Sequence, residues 1–336
     1  MPPKSMPVVP LSEMVNGQEA DLFALMTSKE ELTTRDGKPY SKVGFRDADR
    51  EVSFPIWDNS PWAAECRTSW TPGVFYKLRA VYRDTNYGPQ LDIRKIRETV
   101  DADTADGFDP ATCLPSTRFD PEAMFGELLQ LAEKHVEDAA LRGLVVSILG
   151  ANREKLLVSA AARRHHHAFC GGLLEHTLSV TRNAVFLAEK YAGDYPDIDP
   201  PLDKGLVAAG AILHDVGKVR ELDSTPTGTS YTPEGELIGH IQMGRDMVRE
   251  AALSLPIHPD TLLRLEHLIL SHQRLPEWGS PKPPMTPEAL LVHYADDVDA
   301  KYHIMYAILR DDNNPGPLTS SKNLLHQKLY RGLPKT

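Results

Sequence analysis

Cysteine is scarce in this chain. Its three residues, Cys66, Cys113 and Cys170, form no CxxC pair and no regular framework. A disulfide-stapled fold is therefore excluded, and a reduced, cytoplasmic setting is expected. Long apolar runs are also missing. No stretch reaches the roughly 18 to 20 uninterrupted apolar residues that a membrane-spanning helix needs. The N-terminus, MPPKSMPVVPLSEM, lacks the apolar core of a signal peptide. Neither an internal repeat nor a long low-complexity tract is present. What remains has the composition of a globular protein, with 336 residues, 41% hydrophobic and 25% charged. That length suggests two domains.

The formal net charge is −10, and it is unevenly spread. Between Lys29 and Glu98 there are 13 Lys and Arg against 11 Asp and Glu, so this stretch is slightly basic. The remainder carries 24 against 36. The split allows a nucleic-acid-facing N-terminal module beside an acidic, metal-binding one. An acidic total is no obstacle to a phosphate substrate, because bound cations invert the local field.

Residues 1–24 are Pro-rich and weakly patterned, which predicts a flexible arm. From Lys38 the pattern alternates: PYSKVGFRDAD, EVSFPIWD, VFYKLRAVYRD and QLDIRKIRE are short strand-like runs separated by turn signals such as Asp36-Gly37 and Pro72-Gly73. Four or five such strands predict a small all-β barrel over residues 25–100. An OB-type barrel is the natural candidate, and periodicity alone leaves an SH3-like one open. The acidic, turn-rich residues 101–119 read as a linker. Beyond them the apolar spacing becomes helical, predicting an all-α domain over residues 120–318 and a tail over 319–336. The expected fold is thus multidomain, a small OB-like barrel followed by a helical domain.

Chemistry is concentrated in the helical part. His214-Asp215 closes the apolar run LVAAGAILHD. His176 (LLEHTLSV), His240 (LIGHIQ), His272 (LILSHQ) and Asp296 (HYADDVDA) sit in other helix-like segments. Imidazole and carboxylate together can hold divalent cations against phosphate oxygens. An aspartate in an apolar helix is costly unless paired or metal-bound, as for Asp296. A carboxylate has two oxygens and can bridge two cations, whereas an imidazole serves one. Asp215 is therefore the best bridging candidate, with His214 on one ion. Gly217 permits a close backbone approach, and Lys218 is placed to orient a carboxylate or meet a substrate phosphate. A single histidine of this kind is more often structural, which is the expectation for His293 and His303. Asp297 and Asp299 read as solvated or bonded to nearby backbone. The histidine content favours Mn, Fe or Zn over Mg.

The order H…HD…H…H…D resembles the HD-domain superfamily of metal-dependent phosphohydrolases, with HDVGK as its most recognisable string. The wider set RRHHHAFCGGLLEHTLSV, ILHDVGKVREL, EGELIGHIQMG, LILSHQ and PEWGSPKPPMTPEALLVHYADDVDAK resembles the YhaM-type 3'-5' exoribonucleases, which also place an OB-fold module before the HD domain. KPYSKVGFRDADREVSFPIWD and YGPQLDIRKIR look like that module. The resemblance spans residues 25–315. It implies that His176, His214, Asp215 and Asp296 hold one metal. It also implies that His240 and His272 hold a second, with Asp215 bridging. The metal would be Mn in the first instance, with Mg, Fe, Co or Zn as alternatives. The implied partner is single-stranded RNA, with single-stranded DNA next. The Pro-rich arm departs from the family pattern.

On this reading Asp215 and Lys218 act in catalysis, and His166 or His167 assists the leaving group or contacts substrate. Arg163, Arg164 and His165 grip the terminal phosphate. Lys38, Tyr76, Arg79 and Tyr82 are the barrel's candidates for holding a strand. The two tyrosines are chosen because they alternate away from Phe75. Two other functions stay open at this level: hydrolysis of a small nucleotide or cyclic dinucleotide, and nucleic-acid binding without turnover. The apolar content of the helical part allows self-association.

Overall fold

The computed structural model describes residues 6–86, 88–162, 167–225, 228–312 and 314–333. The chain divides into two compact units, the first taking Met1–Ser116 with Thr225–Gly228 and the second Thr117–Ser224 with Thr229–Thr336.

The first unit is a five-stranded antiparallel sheet: β1 (Glu19–Thr33), β2 (Pro39–Arg46), β3 (Glu51–Trp57), β4 (Phe75–Thr85) and β5 (Gly88–Glu98). A short helix α1 (Ala63–Thr68) lies between β3 and β4. The strand order is β3-β2-β1-β4-β5. This order, with a helix in the β3–β4 connection, is that of an OB barrel and not of an SH3-like one. Alternation follows the pleat in β3, where Val52, Phe54 and Ile56 point inward and Glu51, Ser53 and Trp57 outward. Two irregularities bend the sheet. One lies in β1 between Met26 and Ser28, opposite Gly44. A Cβ on Gly44 would come within 2.4 Å of Thr27 Oγ1, so glycine is what the bulge admits. The other is in the β4–β5 pairing at Arg79/Ala80, where the inward set of β5 changes phase from Leu91 and Ile93 to Ile96.

Three expectations are corrected in this unit. The arm predicted over residues 1–24 is in large part structured. Leu11 and Met14 are buried in the barrel core, and Asp47 accepts bonds from the Ser12 backbone N–H (2.6 Å) and hydroxyl (2.7 Å). Pro and short apolar residues in a strap make no periodic pattern, so composition could not reveal its docking. Likewise, the start of the predicted linker folds onto the barrel. Asp103 is buried and accepts from Arg97 (2.6 and 2.7 Å) and Lys77 (3.4 Å), and Cys113 packs with Phe23 and Leu25. Finally, Tyr76 and Tyr82 are core residues. They do alternate away from Phe75, but so do Leu78 and Ala80, and that is the inward face. Period two says which residues share a face, not which face is wet. Tyr76 Oη accepts from the Thr71 backbone N–H at 2.8 Å, and the Arg50 guanidinium lies 5.0 Å from the Tyr82 ring centre.

The second unit is helical. Its elements are α2 (Pro121–His135), α3 (Ala139–Ala151), α4 (Arg153–Val158), α5 (Gly172–Asp194), α6 (Lys204–Leu213) and α7 (Lys218–Glu221). A small hairpin follows, β6 (Leu222–Thr225) and β7 (Gly228–Tyr231). Then come α8 (Pro233–Leu237), α9 (His240–Ala252), α10 (Pro259–Ser271) and α11 (Pro287–Asp311). Several helix starts are capped by side chains. Asp120, Asp138, Asp203, Thr232 and Thr286 each accept a backbone N–H of the first turn. Every residue from Leu206 to Leu213 is buried, so α6 is the central helix. One core cluster runs through α2, α3, α6 and α9, and a second joins α5, α6 and α11. In the predicted tail, the Leu329 N–H donates to Thr319 Oγ1 at 2.8 Å, and both residues are buried. Among the described residues no helix is long and apolar enough to cross a membrane.

Candidate metal centre

Most of the candidate ligands stand at helix ends. His214 and Asp215 follow the last turn of α6, His272 follows α10, and His240 opens α9; His176 lies early in α5 and Asp296 midway along α11. Last-turn carbonyls have no partner in the helix ladder, so an imidazole there can donate back to one. His214 Nδ1 lies 2.7 Å from the Ala211 carbonyl and His272 Nδ1 2.8 Å from the Ile269 carbonyl, both three residues earlier. His240 Nδ1 lies 3.0 Å from Glu221 Oε1, which also accepts the His240 backbone N–H at 2.9 Å. His176 Nδ1 lies 2.7 Å from Asp299 Oδ2. In each ring Nδ1 is the donor, which leaves the Nε2 lone pair facing inward.

Those Nε2 atoms converge on Asp215. Its Oδ2 is 3.4 Å from both His176 and His214 Nε2. Its Oδ1 is 3.4 Å from His240 Nε2 and 3.5 Å from His272 Nε2. Asp296 Oδ1 joins the first group, 3.2 Å from His176 and 4.0 Å from His214. The six residues thus form two ligand groups that share one carboxylate, and one oxygen of that carboxylate serves each group. His176, His214 and Asp215 make one, with Asp296 beside them, and Asp215, His240 and His272 the other.

The arrangement fits cations. His214 Nε2, His240 Nε2, His272 Nε2 and Asp215 Oδ1 are buried, and no hydrogen-bond partner reaches them. Buried polar atoms of this kind are costly unless something satisfies them. Ligands held about 2.1 Å from one ion lie about 3.0–3.4 Å apart, close to the separations seen here. Four imidazoles with two carboxylates suit a borderline divalent cation better than Mg.

Electrostatics favour the same occupant. Burial works against ionisation of Asp215, but the Lys218 cation and the imidazoles beside it outweigh it and hold the carboxyl well below its usual range. Burial likewise disfavours the Lys218 cation, yet Asp215 raises its pKa through an ion pair of 2.6 Å. His176 is fully buried, which opposes its charge, but Asp215, Asp296 and Asp299 draw a proton onto it. A cation at that position replaces the proton. Gly217 sets the spacing, since a Cβ there would lie 2.0 Å from the His240 carbonyl oxygen. The α6–α7 turn and the start of α9 therefore touch backbone to backbone, which brings His240 to Asp215.

Residues 173–301 match the family model described as HD domain. The helical unit contains an HD domain. The superfamily is one of metal-dependent phosphohydrolases, and the His/Asp groups of this HD domain fit a metal site. Among solved structures, the second OB-fold domain of replication protein A from Methanococcus maripaludis is similar at 12% identity. It covers 27% of this chain and 93% of its own, with a TM-score of 0.21. The OB topology of the first unit rests on its own strand order.

Other expected site residues are spread more widely. Lys218 is buried against Asp215. His167 is buried with Nε2 3.1 Å from Asp299 Oδ2, and its ring centre lies 3.9 Å from that of the tilted His303 ring, whose pKa burial lowers to about 4. Arg163, Arg164, His165 and His166 lie outside the described residues. In the barrel, Lys38 is exposed beyond the β1–β2 turn, and Arg79 is committed to a two-pronged pair with Asp21 at 2.6 and 2.9 Å. Tyr40 and Trp57 pack together on the outside, with ring centres 5.0 Å apart. His293 is structural, as expected, with Nδ1 2.7 Å from the His272 carbonyl.

Two carboxylates were missed. Asp299, expected to be solvated or backbone-bonded, is well buried and binds His176, His167 and Ser179. Burial favours its neutral form, but those bonds hold its pKa far below the usual range. Its spacing of three from Asp296 on a helix was an available signal, because i and i+3 share a face. Glu221, which holds His240, had no comparable signal: it lies six residues past Asp215, across a turn.

Proposed function

We propose that this protein is a metal-dependent phosphodiesterase that shortens single-stranded nucleic acid from the 3' end. RNA is the expected first substrate, single-stranded DNA the second, and nucleoside 5'-monophosphates the product. The observation that carries the reading is the division of Asp215 between two histidine groups inside an HD domain, in a chain that also has an OB-topology barrel. Two divalent cations, Mn foremost, would supply Lewis acidity toward phosphate oxygens and lower the pKa of water. His176, His214 and Asp296 would hold one and His240 and His272 the other, with Asp215 common to both.

The chain's own residues do the rest. Water adds to the last bridging phosphorus in line with the departing 3'-oxygen, the phosphorus–O3' bond breaks, O3' takes up the proton the water gives up, and the phosphate stays on the 5' side of the released nucleotide. Lys218 keeps Asp215 ionised and oriented, and offsets charge as the phosphorane forms. Glu221 and Asp299 fix the imidazoles so that their lone pairs need no reorganisation. On the barrel, the exposed Tyr40–Trp57 pair and Lys38 offer a stacking face and a cation to a single strand.

The test uses 3'- and 5'-labelled oligonucleotides with Mn, on the full chain and on Asp215→Ala. A ladder that shortens from the 3' end, and that Asp215→Ala abolishes, is expected. Folded, metal-loaded protein that turns over neither RNA nor DNA would overturn the proposal. Turnover of a cyclic dinucleotide alone would replace it with a small-substrate phosphohydrolase.

A further inference from the structure

Beside the metal centre, the helical unit has a second cleft of about 470 Å³, bordered by the start of α2 and the segment before it, by α5 and by the second half of α11. Its size is that of a small-ligand site. Asp299, which binds His176 Nδ1 at 2.7 Å, is part of its lining, so the cleft abuts the metal centre. Phe119 is 48% exposed, Tyr302 73% and Tyr306 43%. Three large rings left in water around one cleft are a costly surface unless something covers them.

The charges narrow the occupant. Each carboxylate of the lining is already engaged. Asp120 caps α2, Glu127 pairs with Arg182 at 2.6 Å, and Glu175 accepts from Thr117 at 2.5 Å. Asp299 is taken by His176, His167 and Ser179. Among the described residues each of the four carboxylates already holds a donor, and an anionic ligand meets all four. Arg118 has no carboxylate partner among the described residues. Its guanidinium lies 5.0 Å from the Phe119 ring centre and 5.9 Å from that of Tyr306. Rings with a stacked guanidinium match a flat, uncharged, polarisable ligand.

We propose that this cleft holds a nucleobase of the substrate strand, stacked on the aromatic wall of Phe119, Tyr302 and Tyr306 with Arg118 beside it. The assignment rests on the phosphodiesterase reading for its substrate and names where that substrate is gripped. It also gives the helical unit a base contact of its own, separate from anything the barrel does.

The probes are adenosine 5'-monophosphate and ribose 5-phosphate, titrated calorimetrically into the full-length, metal-loaded protein. Adenosine 5'-monophosphate should bind more tightly than ribose 5-phosphate. Tyr302→Ala and Tyr306→Ala should each weaken it about 10-fold, within the range for losing one base–aromatic stack, and Tyr302→Phe should restore it. Ribose 5-phosphate affinity should not follow these changes. The same variants should also narrow the preference for a normal strand over one with abasic 3'-terminal positions. Equal affinity for the two probes, or Tyr302→Ala and Tyr306→Ala proteins that bind adenosine 5'-monophosphate like the wild type, would overturn the assignment. Base-dependent binding without any strand turnover would support the cleft and overturn the phosphodiesterase reading instead. Melting curves and metal content separate these outcomes from misfolding.

Discussion

Asp299→Asn is the sharpest perturbation of the centre, because it replaces none of the proposed ligands and yet acts on one. Asp299 Oδ2 sits 2.7 Å from His176 Nδ1, and the same carboxylate is held by Ser179 and by His167 at 3.1 Å. The His176 ring is thereby fixed with Nε2 3.4 Å from Asp215 Oδ2 and 3.2 Å from Asp296 Oδ1. Losing the outer partner of a metal-bound histidine costs about 10- to 100-fold in affinity, or about 1.4–2.7 kcal/mol. Asparagine keeps one acceptor oxygen and loses the charge, so the lower end applies. Asp299→Ala leaves the ring unheld and belongs at the upper end. His176 faces only the Oδ2 side of Asp215, whereas His240 and His272 face Oδ1. The loss should therefore fall on one of two binding steps. Calorimetric titration of the metal-free full chain with Mn, and again with Zn, should show one step weakened and one retained. A folded Asp299→Ala protein with both steps at wild-type affinity would refute the positioning argument, and equal weakening of both would refute the division into two groups.

Three further outcomes follow from the packing. Gly217→Ala should lose about 3 kcal/mol or more, read as a fall in melting temperature together with lost metal, because the new Cβ has only 2.0 Å to the His240 carbonyl. Asp103→Asn should destabilise the barrel by about 1–2 kcal/mol at neutral pH, since Arg97 is half-exposed and its pair is partly screened. Asp103 has its pKa depressed by Arg97, with burial opposing. Its contribution is thus present above the unfolded value near ~4 and is lost as pH falls below that. Urea melts should show the variant and wild type converging in acid. Tyr76→Phe should cost about 1 kcal/mol in chemical denaturation, because it strips the acceptor from the Thr71 N–H. It should leave oligonucleotide affinity unchanged, as befits a core residue.

Local chemistry carried much of this protein in one dimension. The barrel strands and the six candidate ligands could be picked out along the chain. The strands follow from period two in a pleat, and the ligands from imidazole and carboxylate set in apolar runs, read together with the resemblance to the HD superfamily. Even the bridging role of Asp215 could be anticipated, since among those ligands a carboxylate alone offers one oxygen to each of two sites.

Tertiary structure decided what depends on meeting across the chain. It turned Tyr76 and Tyr82 inward, because alternation pairs residues on a face without saying which face the core takes. It seated Leu11, Met14 and Asp103 in the barrel, although their segments have no periodicity to betray docking. It made Asp299 and Glu221 the supports of His176 and His240, contacts that span 123 and 19 residues. Imidazole orientation is set by whichever acceptor reaches Nδ1, and for those two rings that acceptor comes from another segment of the chain. The candidate ligands and the sharing of Asp215 were expected from the sequence; the aim of each ring, and which Asp215 oxygen each group faces, came from packing.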